Sequence, residues 1–185
     1  MTFKNPTFRD ITPGGAMPDT SLTAPSTETK AGTIVTFDSN DDKLIKVVDF
    51  KVTAAASLTD YPMVLLQDVR DFSAQIYDYR SFVEDVAEVS KPCKVAFRPG
   101  HIFVLGPQVS ADEQAGWTGD IDAGDILYTS LDDTGTANGG ICDDASKDVD
   151  GTDYYAQPVG IARNSVTAAE GGLLEWVYVP QVLGA

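Results

Sequence analysis

The chain has 185 residues, 43% of them hydrophobic, and carries 28 acidic against 13 basic side chains for a net charge of -15. That length and apolar content suffice for one compact domain with a real core, so the charge belongs to the surface and wholesale disorder is excluded. Most of the charge, -12, lies in residues 108–185, where fourteen Asp and Glu face only Lys147 and Arg163; a nucleic-acid surface there is excluded, because neutralising phosphates takes clustered Lys and Arg.

Such an acidic surface is either solvated or meets a basic protein partner. The two cysteines, Cys93 and Cys142, are too few for a disulfide framework and are expected as free thiols. With one histidine and no Cys-x-x-Cys, no zinc site is expected. Residues 1–6 lack the apolar core of a secretory signal and no apolar run has the length of a membrane span. The expectation is a soluble protein synthesised in the cytoplasm, with no membrane partner.

Residues 1–30 are punctuated by Pro6, Pro13, Gly14, Gly15, Pro18 and Pro25. Proline removes backbone donors and glycine raises the entropy cost of ordering, so the segment is expected as an extended N-terminal arm. Its large apolar residues, Phe3, Phe8, Ile11 and Met17, have no local core to fill. They are candidate anchors on a neighbouring subunit, Phe3, Phe8 and Ile11 foremost.

From residue 31 to 185 the pattern is that of a β-rich domain. Thr33–Asp38 reads as a strand, Asp38–Asp42 as an Asx-rich turn, and Lys43–Thr53 as the returning strand of a hairpin, alternating from Lys46 onward. Residues 54–92 read as an insertion. Within it Met63–Leu66 suits a buried strand, and Phe72, Ile76, Tyr79, Val83 and Val86 recur at the spacing of a short helix. Lys94–Arg98 and His101–Leu105 read as a hairpin joined through Pro99-Gly100. His101, with no nucleophile in its context, reads as structural, and Trp117 as the anchor of its loop.

Residues 131–154, rich in Asp and Gly, read as a mobile acidic surface loop. An EF-hand register fails there, because Gln157 stands where the bidentate Glu belongs and Tyr154-Tyr155 where a helix should leave; an irregular calcium site stays open. Three apolar runs close the chain: Gly124–Tyr128, Pro158–Ala162 and Gly171–Val179. Phosphate-loop, nucleophile-elbow and zinc-protease motifs are all absent, so no catalytic residue, cofactor or metal ligand is assigned and an enzyme is not expected.

The succession Ala31-Gly32-Thr33-Ile34-Val35, Ala123-Gly124-Asp125-Ile126-Leu127-Tyr128, Pro158-Val159-Gly160-Ile161-Ala162-Arg163-Asn164 and Gly171-Gly172-Leu173-Leu174-Glu175-Trp176-Val177 resembles tailed-phage capsid decoration (cement) proteins. In that pattern Gly160 admits a bulge or close approach and Gly171-Gly172 the tight entry to the last strand. The resemblance spans about half the chain, and the 54–92 insertion and the acidic 131–154 stretch depart from it. It implies a mainly β fold, a small β-barrel or β-tulip-like domain bearing the N-terminal arm. It further implies a virion protein on the outer capsid surface, bound to the major capsid protein and self-associating as a trimer. The competing readings are another phage head or tail component, a carbohydrate-binding or adhesion module using Trp117, Trp176, Tyr154 and Tyr155, and an enzyme using dispersed carboxylates.

Overall fold

A computed structural model describes residues 8–10, 19–23, 30–38, 41–47, 61–66, 92–96, 98–108, 115–135 and 137–180. Among these residues the protein is mainly β, as expected, and contains no helix. In chain order the strands are β1 (Phe8–Asp10), β2 (Asp19–Thr23), β3 (Ile34–Asp38), β4 (Asp41–Val47), β5 (Met63–Leu65), β6 (Pro92–Ala96) and β7 (Ile102–Leu105). They continue with β8 (Ile126–Leu131), β9 (Ala137–Cys142), β10 (Ser146–Val149), β11 (Thr152–Tyr155), β12 (Pro158–Ala162) and β13 (Leu174–Tyr178).

Two assemblies dominate. A six-stranded sheet runs β1-β7-β13-β12-β8-β9, antiparallel at each junction. Beside it five strands follow one another round a ring, β2-β4-β3-β5-β6, with β6 returning to β2. One link of that ring is a single parallel residue pair, Thr23 with Leu44, so it has a thin seam where a continuous barrel would have a full ladder.

The ring and sheet share a wall. Ile34, Val64 and Ala96 lie opposite one another on β3, β5 and β6 and pack into the same core as Phe103, Leu127, Trp176 and Tyr178. Their neighbours Val35, Met63, Leu65 and Val95 point the other way and form a second cluster. Successive strand residues face opposite sides. A wall with a core on each side therefore needs apolar residues at consecutive positions, which is the pattern of Met63-Val64-Leu65.

On the sheet's inner face the register sets Trp176 against Phe103 and Leu174 against Leu105. Phe103 and Trp176 have ring centroids 5.2 Å apart and tilted by 50°, Tyr178 meets Trp176 edge-on at 6.4 Å, and His101 stacks on Phe103 at 5.6 Å. Each such aromatic pair adds about 0.5–1.5 kcal/mol beyond its buried area. The Tyr178 hydroxyl crosses to the ring and donates to the Pro62 carbonyl. His101, 1% exposed, is part of this packing, in line with its structural reading.

Gly160 lets β12 lie against this column. A Cβ there would sit 2.6 Å from the Trp176 ring and closer still to the Val177 carbonyl, and the β12–β8 register shifts between Pro158 and Gly160. Both the expected bulge and the expected close approach are present. Gly171 and Gly172, at φ 68° and 125°, make the turn into β13.

Several expectations need correcting. Residues 92–96 and 102–105 are strands, but they do not form a hairpin: β6 belongs to the ring and β7 to the sheet. The Pro99-Gly100 turn, with Gly100 at φ 101°, carries the chain from one assembly to the other. Residues 131–154 are not a mobile loop either. They hold β9 and the β10–β11 ribbon, in which Val149 pairs with Thr152 across Asp150 and Gly151, both at positive φ as a two-residue hairpin turn requires. Trp117 is more than a loop anchor. At 2% exposure it lies in the core, and its backbone bridges Pro107, beyond β7, and Ile141 of β9.

The β3–β4 hairpin is present, with Asp38 opposite Asp41; its expected continuation over 48–53 lies outside the described residues, as does the short helix expected over 72–86. Within the stretch read as an arm, β1 pairs with β7 and β2 with β6 of the same chain. Pairing of this kind draws on backbone donors and acceptors, so it needs few large apolar side chains.

Replacing Gly160 with Ala forces the β12 backbone away from Trp176. It is expected to lower the unfolding free energy by about 1–3 kcal/mol, as overpacking of a filled core does, read as a shift in the urea midpoint at unchanged slope.

Candidate functional site

Three places in the described residues gather side chains with chemical potential. The first is a cleft of about 180 Å³ lined by Thr118, Leu131, Cys142, Asp144, Ser146 and Lys147. Its cysteine sits at the end of β9, buried and free of any disulfide, with its thiol 3.7 Å from the Asp144 carbonyl. Burial, reinforced by the charges of Asp144 and Asp143, pushes the Cys142 thiol up from 9.0 to about 12. A thiol so protonated supplies no thiolate at neutral pH. Lys147 spans the cleft's rim, donating to Asp133 at 2.8 Å and reaching the Leu131 carbonyl at 3.5 Å. Its role is to pin the β10–β11 ribbon to the turn before β9, helped by Tyr154, whose ring lies where a Cβ on Gly135 would fall.

The second is acidic. Asp125 Oδ2 accepts the Asp122 N–H at 2.8 Å, and Asp120 Oδ1 accepts the Ala168 N–H at 2.7 Å. Asp143 feels both: burial, then the charges of Asp144, Asp125 and Asp120, raise its carboxyl above the ordinary 3.8 against an opposing backbone hydrogen bond. Among the described residues no group of three or more His, Cys, Asp or Glu is arranged to hold a metal ion. The stretch left open for irregular calcium binding thus gathers no such set in its described part.

The third is the outer face of the six-stranded sheet. Ile126, Ile161 and Val177 stand side by side on β8, β12 and β13. Ile126 is 47% and Ile161 42% exposed, while Val177 is half-buried. Tyr128, two residues beyond Ile126 on the same face, is half-buried too. Below this row the Arg163 guanidinium meets Glu175 at 3.3 Å. One side of β8, β12 and β13 forms the core through Leu127, Ala162 and Trp176, and the other presents apolar side chains to solvent.

Of the anchors expected in the arm, Phe3 and Ile11 lie outside the described residues, as does Met17. Phe8 opens β1, its backbone opposite Leu105, with its side chain outside the described residues. Trp117 and Trp176, offered by the carbohydrate reading as stacking platforms, are 2% and 0% exposed and present no face to a sugar. The row was not singled out from the sequence, although its signal is there: Ile126-Leu127-Tyr128 is apolar at three consecutive positions, where a strand with one solvated face should alternate.

No protein-family model matches the chain, and no curated protein matches it in sequence.

Two outcomes test this electrostatic picture. Iodoacetamide is expected to leave Cys142 unmodified in the folded protein at pH 8 and to label it in urea, as read by mass mapping of its peptide. Asp143 binds its proton more firmly folded than unfolded, so its ionisation works against folding. The stability conferred by its bound proton is present below the unfolded value of 3.8 and is lost as pH rises through the raised folded value. Asp143→Asn should therefore raise the thermal midpoint at pH 7, with the gain shrinking toward pH 3.

Proposed function

We propose that this protein is a structural virion protein, a decoration or cement protein that binds the outer surface of a tailed-phage capsid and stabilises the shell. The observation that carries the reading is the placement of the motif strands. The runs ending in Ile126-Leu127-Tyr128, Pro158–Ala162 and Leu174–Tyr178 are far apart in sequence but adjacent in one sheet, in the order β13-β12-β8. Three of the four motifs that resemble the decoration family are thus neighbours in one sheet, the fourth, Ala31–Val35, entering β3 of the ring, and the sheet bears the exposed apolar row. Flat binding by a rigid β scaffold suits an occupant of a repeating lattice better than it suits a small-molecule site, which needs a concave apolar pocket.

The mechanism needs no chemistry at a centre. A shell presents many copies of one site, and a protein that bridges subunit boundaries adds burial at each. If several weak contacts engage together, effective concentration multiplies them into firm attachment. Contacts through the N-terminal segment would add to this. β1 and β2 lie within residues 1–30, so an arm test must leave them intact: deletion of residues 1–7 removes Phe3 and spares both strands.

The purified protein is expected to be a trimer by light scattering and to co-sediment with shells assembled from the co-encoded major capsid protein. Occupancy should saturate, and deletion of residues 1–7 should lower it. A monomer that stays in the supernatant at micromolar concentration overturns the reading.

A further inference from the structure

The β8–β9 ladder is interrupted at one place. Between the pairs Leu131–Ala137 and Thr129–Ile141, β8 has a single residue, Ser130, and β9 has three, Asn138, Gly139 and Gly140. The surplus is taken up as a bulge in which Gly139 stands at φ 83°, a conformation glycine adopts at little steric cost. The Asn138 carboxamide is folded into this bulge. Its Oδ1 accepts the Gly140 N–H at 3.0 Å, two residues on, and the Ser130 Oγ–H at 2.8 Å from across the ladder. Ser130 is 3% exposed and Asn138 half-buried, so the hydroxyl donor is shielded while the carboxamide keeps partial access to solvent.

An asparagine followed by glycine carries a latent reaction. The next backbone nitrogen closes on the side-chain carbonyl carbon to form a five-membered imide, and glycine has no side chain to obstruct the approach. An extended strand holds that nitrogen away from the carbon. Here the chain is not extended at Gly139, and the bond from Oδ1 to the Gly140 N–H turns the carboxamide back over the Asn138–Gly139 peptide, as in an Asx turn. Both donors converge on the oxygen that becomes negative when the ring closes. Donors fixed about 2.7–3.1 Å from a developing oxyanion stabilise it more than they stabilise the neutral carbonyl. Asn164 has the contrasting arrangement: its Oδ1 accepts the Glu175 N–H at 2.7 Å and its Nδ2 donates to the Leu173 carbonyl at 3.0 Å, so the carboxamide is tied to another segment, and serine follows it.

We propose that Asn138-Gly139 is a self-modification site at which the native fold promotes deamidation, with the Ser130 hydroxyl and the Gly140 N–H as oxyanion donors. The Gly139 nitrogen loses its proton to solvent hydroxide and bonds to Asn138 Cγ, while the carbonyl π pair moves onto Oδ1. Collapse of that tetrahedral carbon re-forms the carbonyl and expels the carboxamide nitrogen, which takes a proton from water and leaves as ammonia. Water then opens the imide at either carbonyl to give aspartate or isoaspartate; the net change is water consumed and ammonia released, with no redox step. The aspartate product keeps both donors and binds them more strongly through its charge, whereas isoaspartate lengthens the β9 backbone by a methylene. The site does not depend on the cement reading.

The full-length protein is incubated at pH 8, folded and in parallel unfolded in guanidinium chloride, and conversion is followed by mass mapping of the peptides containing Asn138 and Asn164. Asn138 is expected to convert at least about tenfold faster folded than unfolded, because orientation and donors are preset, and to outpace Asn164. Ser130→Ala should slow the folded reaction about tenfold or more, as loss of one oxyanion donor does, and leave the unfolded rate unchanged; Ser130→Thr, which keeps a hydroxyl, should retain most of the parent rate. Folded conversion of Asn138 no faster than unfolded, or no faster than that of Asn164, overturns the inference. So does a folded Ser130→Ala that converts at the parent rate. If Ser130→Ala does not fold, the ratio of the parent's folded and unfolded rates decides alone.

Discussion

The constraint on which the rest of the structure depends is that Ile34-Val35 of β3, Met63–Leu65 of β5 and Val95-Ala96 of β6 are buried on both faces. Ile34, Val64 and Ala96 look into the core shared with the sheet, and Val35, Met63, Leu65 and Val95 into the ring. A wall so placed cannot spare a position for a polar side chain unless its polar atoms are satisfied, since an unsatisfied buried hydroxyl costs about 1–3 kcal/mol. Thr33 shows the permitted exception, its hydroxyl donating to the Lys30 carbonyl at 2.7 Å. Once the wall is fixed, the aromatic column of Phe103, Trp176 and Tyr178 has a surface to pack on, and the Tyr178 hydroxyl reaches Pro62 on the wall's own chain segment.

Much of the strand content was legible because it is written locally. The last three runs, the Met63–Leu66 strand and the 33–38 strand all appear where their apolar patterns place them, and Gly160 takes the role its place inside an apolar strand suggests. What the sequence could not carry is pairing. Pro99-Gly100 states that the chain turns, and nothing local states that β7 will take β13 and β1 as neighbours instead of β6. The acidic stretch 131–154 misleads for a different reason. Its charges and glycines are those of a loop, yet Asp150-Gly151 is a strong hairpin turn, and in β9 Gly140 leaves room for the Gly116 carbonyl, which a Cβ would approach to 3.0 Å.

The candidate site was hidden by success elsewhere. Ile126 and Ile161 lie inside the runs that identify the strands, so their hydrophobicity is absorbed by the fold prediction. Only the register separates Leu127 and Ala162, which build the core, from the residues beside them that face outward. A one-residue slip would exchange the two sets. The Pro158–Gly160 irregularity, held by the close fit of Gly160 to Trp176, therefore sets which isoleucines meet solvent as well as how tightly the core packs.

The position of β7 also governs when the sheet can form during synthesis. Its partners, residues 8–10 and 174–177, lie far from it in sequence on either side, so the central strand of the aromatic column stays incomplete until β13 has been made. Contacts of such long range carry a large loop-closure cost before they are rewarded, and they make folding slow. Until β13 emerges, Phe103 and Leu105 lack their main cover. A nascent chain stalled near residue 160 would expose that surface to chaperones, which makes the last strand the step that commits the molecule to its fold.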